Sequence, residues 1–253
     1  MKSKILKLSI PVAGLAALAM RWALYATGFD GRSLLMPHHW ARIGLLVLTG
    51  VVAVALPLLG WSVKGSDDLK DARPASLSAA IGSFAAAVAM NITCIREFAE
   101  FSAPMGIACW VLGLAATVCF IATGVCRLQD KQPHFALHCL ICVYFGLRAV
   151  TKYRIYSSDP MVQNYTFYLM AYVALMLTAY RHAAFDANMT DHRALWICSL
   201  GAVYLCLAAM VRCADALLLG ACALWAFTNL TNLSVRRRRE RPRLLLDEEE
   251  AAQ

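Results

Sequence analysis

ASLSAAIGSFAAAVAMNITCI, residues 75–95, runs for 21 residues without a charged side chain. A helix of that length spans about 30 Å, the thickness of a bilayer's hydrocarbon core. Lipid offers no partner to backbone N–H and C=O groups, so a stretch that crosses it must be helical. Seven other apolar blocks have similar lengths, at 5–27, 40–63, 104–126, 134–150, 161–180, 194–211 and 216–235. The expected fold is all-α: a polytopic integral membrane helix bundle of about eight transmembrane helices. Residues 1–235 form a single bundle in this reading, and 236–253 form a basic-then-acidic tail expected to be disordered. Only residues 212–215 separate the last two spans, so these must join in a tight hairpin. The opening segment resembles a signal peptide, but its apolar character resumes beyond Arg21, which favours an uncleaved first span.

Composition supports this reading. The 253 residues are 60% hydrophobic and 16% charged, whereas soluble domains carry about 25% charged residues. The net charge of +8 does not indicate nucleic acid, because six cations sit in the tail and the others flank apolar blocks. Most of the ten cysteines lie in or beside the spans, where a free thiol behaves as a small hydrophobe. Cys94 and Cys213 are the one candidate disulfide pair.

Lys and Arg set the orientation through their bias toward the cytoplasmic side. With both termini cytoplasmic, the inner segments hold sixteen cations and the outer segments seven, with Arg21 inside the first span. Arg148, Lys152 and Arg154 run against the bias, on the outer side. The chain is expected in a cell membrane, of the bacterial inner-membrane kind.

Small residues at Gly82-x-x-x-Ala86 and Ser83-x-x-x-Ala87 let helix backbones approach closely, so the third span is read as a central, protein-surrounded helix. Its outer end carries Asn91, Arg96, Glu97 and Glu100. Wound at 100° per residue, the fifth span places Ala136, Leu140, Val143, Leu147 and Val150 toward lipid. His134, His138, Cys142, Tyr144, Arg148 and Lys152 fall on the opposite side. Such a polar stripe faces a bundle interior or a water-filled cavity. The sixth span opens on an acidic cap and Pro160, then Gln163 and Asn164. It carries Tyr165, Tyr168 and Tyr172 as a stripe. Arg21, with Trp22 and Tyr25, reads as an outer-leaflet anchor. Arg212 and Asp215 read as a local pair, and Asn229 and Asn232 as bonds to neighbouring helices.

The expected function is the binding or transport of a small polar or anionic ligand through an outward-facing pocket. Asn91, Arg96, Glu97, Tyr144, Arg148, Lys152, Gln163, Asn164 and Arg212 would be its ligand-binding residues. The chain lacks a phosphate-binding Gly-rich loop, a Gly-x-Ser-x-Gly elbow, His-Glu-x-x-His and paired mid-membrane carboxylates. No catalytic or metal-binding residue and no cofactor is therefore assigned. His134, His138, Cys139 and Cys142 are close in sequence, but their spacing matches no zinc or haem module. Two alternatives stand beside the ligand reading. One is a non-catalytic membrane subunit, scaffold or regulator working through partner proteins, with the C-terminal tail as a docking peptide. The other is a membrane enzyme on a lipid-linked substrate, with Glu97, His138 or Asp159 as its acid–base groups. The partners expected are the lipid bilayer, a small ligand and a protein on the tail, and no nucleic acid.

Overall fold

A computed structural model describes residues 2–28, 39–62, 75–98, 104–156, 162–187, 189 and 192–232. These residues form eight α-helices and no strand. The helices are α1 (Lys2–Thr27), α2 (Trp40–Ser62), α3 (Leu77–Phe98), α4 (Pro104–Leu128), α5 (Phe135–Tyr156), α6 (Val162–Asp186), α7 (His192–Ala209) and α8 (Ala216–Thr231). The first five are long and apolar enough to cross a membrane, while α7 and α8 are apolar but shorter. Helix α6 has 25 residues and one buried polar face. Tyr168, Tyr172, Thr178 and His182 are all buried along one face. Large aliphatic side chains point outward all around the bundle. Val47, Val54, Val88, Val118 and Val143 are each more than half exposed. An apolar belt of that extent belongs against lipid, and the protein is a membrane-embedded helical bundle.

Helices α3 to α8 contact one another in cyclic order, with α8 returning to α3. The ring is filled by one hydrophobic cluster that includes Met90, Phe120, Ile141, Phe145, Tyr172, Leu175, Cys206 and Trp225. Helices α1 and α2 lie outside the ring against α7. Their own core joins Ile10, Ala17, Leu45 and Val52 to Leu200 and Tyr204. Thr49 of α2 bonds the Tyr204 hydroxyl at 2.8 Å.

Four expectations change here. Helix α3 is a wall of the ring and not its centre: Ile81, Val88 and Ile95 face outward. It packs against both α4 and α8, and on the α8 side Gly82 faces the Trp225 backbone. Helix α5 runs to Tyr156, past the expected span end at residue 150, and keeps Lys152 on the polar stripe where the sequence places it. Arg21 is buried and not an outer-leaflet anchor. It donates to the Ala208 carbonyl at 2.8 Å and so ties α1 to α7. Finally, all ten cysteines are free, Cys94 and Cys213 among them. The acidic cap before α6 and the C-terminal tail lie outside the described residues.

The α3–α8 seam gives a direct test of the packing. A Cβ on Gly82 would meet the Thr228 hydroxyl and come within 3.2 Å of the Trp225 Cα, whereas one on Gly50 would meet nothing within 4 Å. Gly82→Ala should lower stability by about 1–3 kcal/mol. Gly50→Ala should be neutral or raise stability by up to about 1 kcal/mol, because Ala is the better helix former. Thermal unfolding of the two detergent-solubilised variants compares them.

Candidate functional site

At the end of the ring where α7 turns into α8, called the outer end after the orientation expected from the charge bias, the helices are uneven. Helices α7 and α8 have 18 and 16 residues, and α5 and α6 have 22 and 25. The connection between α7 and α8 therefore turns back early. It places Asp215 level with Arg148, while α5 continues to Tyr156, roughly 12 Å further out at 1.5 Å per residue. Asp215 stands at the N-cap of α8, yet its side chain makes no cap hydrogen bond. Its carboxylate turns into the ring instead and is only 4% exposed.

Two helices reach that carboxylate, and a third joins through Arg148. From α5, Arg148 donates to Asp215 Oδ2 through Nη2 at 2.8 Å. From α6, the Tyr172 hydroxyl donates to the same oxygen at 2.7 Å, and so does the Tyr168 hydroxyl. From α3, Glu97 accepts the other arm of Arg148, through Nη1. Lys152, one turn beyond Arg148, stands 3.5 Å from both Glu97 and Asp215. The guanidinium also lies 5.9 Å from the centre of the Tyr172 ring. The cluster is neutral, with two cations against two carboxylates, and Arg148 at its centre is 2% exposed. A buried charge is tolerated when paired and hydrogen-bonded, and each pairing here is also a helix-to-helix link. Burial pushes the Asp215 carboxyl up, but Arg148 and Lys152, with the two tyrosine hydroxyls, outweigh it. The carboxyl is held well below the usual carboxylate range.

Above the cluster lies a cleft of about 60 Å³ lined by Thr93, Arg96, Glu97, Lys152, Ala214 and Asp215. That is room for a few waters or one small charged group. Arg96 forms its rim, with Nη1 donating to the Ala214 carbonyl at 3.1 Å. Counting Arg96, the cations exceed the carboxylates by one among the described residues.

No protein-family model, no curated protein and no solved structure matches this chain. The site's chemistry therefore has to be read from its own geometry.

Of the residues expected to bind a ligand, Arg96, Glu97, Arg148 and Lys152 come together. Tyr144 lies one turn below Arg148, fully buried, and its hydroxyl makes no hydrogen bond. Asn91 is exposed, because the inward face of α3 runs through Met90, Thr93, Cys94 and Glu97. Arg212 does not pair with Asp215. Its backbone is left-handed, at φ 50°, and its guanidinium lies 5.5 Å from the Tyr25 ring on the other side of the hairpin. The side chains of Gln163 and Asn164 lie outside the described residues. The two carboxylates that do come together stand at helix ends and not at mid-span. Glu97 and Asp215 meet around Arg148 below the outer surface.

Sequence reasoning also missed a second buried cluster at the inner end. His138 Nδ1 lies 2.7 Å from Asp186 Oδ2. The His138 ring stacks on His182 at 5.3 Å, and His182 packs on Trp225 at 5.0 Å. Arg127 donates to Asn229 at 3.1 Å, and Asn232 reaches Ser78, so both asparagines do bond to neighbouring helices. His134 and Cys139 are exposed. Among the described residues, no three His, Cys, Asp or Glu side chains gather as they would around a metal ion.

Two outcomes follow from the Arg148 cluster. Arg148→Leu leaves two carboxylates with only Lys152 and should cost about 3–5 kcal/mol, whereas Arg148→Leu with Asp215→Leu should recover part of that loss. Thermal unfolding of the single and double variants measures the recovery. The sign of the pH dependence follows from the lowered Asp215 carboxyl. Its stabilisation is complete above the ordinary carboxylate range and is lost as pH falls through and below that range. The wild-type melting temperature should drop in acid more steeply than that of Asp215→Asn.

Proposed function

We propose that this membrane bundle binds a small polar or anionic ligand at its outer end, in the cleft under Arg96 and Lys152. The observation that carries the reading is a set of ionisable side chains recessed below the outer surface, with one cation in excess. Charged groups at membrane depth are costly to bury and mark ligand or ion sites by default. Arginine and lysine at the rim supply charge-assisted hydrogen bonds to an oxyanion. The Arg148–Asp215–Glu97 network holds the three helices that carry the rim at fixed spacing. Binding needs no acid–base step, and the cluster offers no activated nucleophile. A bacterial inner membrane suits the six cations of the tail, which would meet an anionic inner leaflet.

A second reading is a subunit or scaffold that acts through partner proteins. The small cleft and the neutrality of the buried cluster favour it, because a solid, charge-balanced bundle needs no ligand to be stable.

Thermal unfolding with inorganic phosphate, sulfate and acetate separates the two. At least one anion should raise the melting temperature, by the equivalent of about 2.7 kcal/mol at a hundredfold excess over its Kd. Arg96→Gln combined with Lys152→Gln should abolish the rise. If no anion stabilises the protein, or if the rise survives both substitutions, the cleft is not a binding site and the scaffold reading takes its place.

A further inference from the structure

A second cavity adjoins the polar cleft. It is an apolar groove of about 630 Å³ on the outside of the ring, between α3 and α8, with Met210 of the hairpin also in its lining. Ile81, Val88 and Ile92 line one wall, and Leu217 and Leu224 line the other. Ile81, Val88 and Leu217 are each more than half exposed, so the groove opens sideways toward the bilayer. From Ile81 to Ile92 the groove runs for about 16 Å, the depth of one leaflet of a roughly 30 Å hydrocarbon core.

The linings of the groove and the cleft are neighbours in the chain at two places. On α3, Ile92 lines the groove, and the next residue, Thr93, lines the cleft. On the hairpin, Ala214 and Asp215 line the cleft, and Ala216 lines the groove. Arg96 sits one turn above Ile92 and reaches across to Ala214, which puts an exposed guanidinium at the head of the apolar channel. A hydrocarbon channel one leaflet deep and headed by a cation matches the layout of an acidic lipid. An apolar helix from another chain would fill the channel but would offer Arg96 nothing. A phosphate oxyanion offers it a charge-assisted bond.

We propose that groove and cleft together hold one anionic phospholipid, with an acyl chain between α3 and α8 and its phosphate on Arg96. The inference rests on the reading of the cleft as an anion site and names the class of its ligand. Entry is lateral, from the outer leaflet, and requires no opening of the ring.

The test uses the full-length protein in detergent and native mass spectrometry. The probes are dioleoyl phosphatidylglycerol, dioleoyl phosphatidylcholine and inorganic phosphate. The anionic lipid should be retained about tenfold more tightly than the zwitterionic one, a difference of about 1.4 kcal/mol. Arg96→Gln should remove the preference. Ala85→Phe, which fills the groove, should weaken both lipids, and Val88→Phe serves as a second filler if that variant does not fold. Inorganic phosphate at equal concentration should not displace the lipid. If phosphate binds through Arg96 but neither lipid is preferred and the fillers change nothing, the small-anion reading stands and the lipid inference falls. If the fillers dissolve a dimer that lipid does not affect, the groove belongs to a second copy and the lipid inference falls. Loss of every Arg96 effect would sink both readings.

Discussion

One guanidinium sets the terms for the outer half of this protein. Arg148 is almost wholly buried in a bundle whose surroundings are hydrocarbon. It can remain charged there only if carboxylates come to it. Glu97 comes from α3, and Asp215 comes from the start of α8. Asp215 reaches that depth because α7 and α8 are the two shortest described helices. The hairpin's early turn, the recess above it and the inward tyrosines of α6 are parts of one arrangement. Without the early turn, Asp215 would stand at the surface and Arg148 would face Glu97 alone.

The inner end repeats the principle with different groups. His138 and Asp186 join α5 to α6, and Arg127 and Asn229 join α4 to α8. Between the two polar ends, the ring is packed with Phe120, Phe145, Tyr172 and Leu175. Apolar packing alone discriminates weakly between helix registers in lipid, because the surrounding tails are equally apolar. Directional bonds at both ends fix which helix lies beside which, and at what height.

The same arrangement shapes what the outer end can bind. Four of the five ionisable groups around the cleft are committed to one another, which leaves Arg96 at the rim as the exposed cation. A ligand there meets one fixed positive charge and a small recess. Beside it runs an apolar channel open to the bilayer. In the proposed reading, that combination would suit a ligand with a charged end that approaches within the membrane plane.

How much of this could be read from the sequence depends on the range of each interaction. Length and apolarity determine that residues 75–95 and the other blocks are helices, five of them long and apolar enough to cross a bilayer, because a backbone in lipid has no other way to satisfy itself. Periodicity along a single helix also suffices to turn His138, Tyr144 and Arg148 of α5 toward the interior, and the position of Glu97 at the outer end of α3 makes it a natural partner. Asp215 carries no such signal. It sits in a short hairpin with no periodicity, and its neighbour Arg212 points to the wrong pair. Only the left-handed backbone at Arg212 separates the two. Tyr168 and Tyr172 are visible as a stripe, but what they face is not. His138 and Asp186 are 48 residues apart, and nothing local to either says that α5 and α6 lie at the height that joins them. Helix identity and facing are properties of single segments. Register, depth and partner choice arise only when segments of unequal length are packed together.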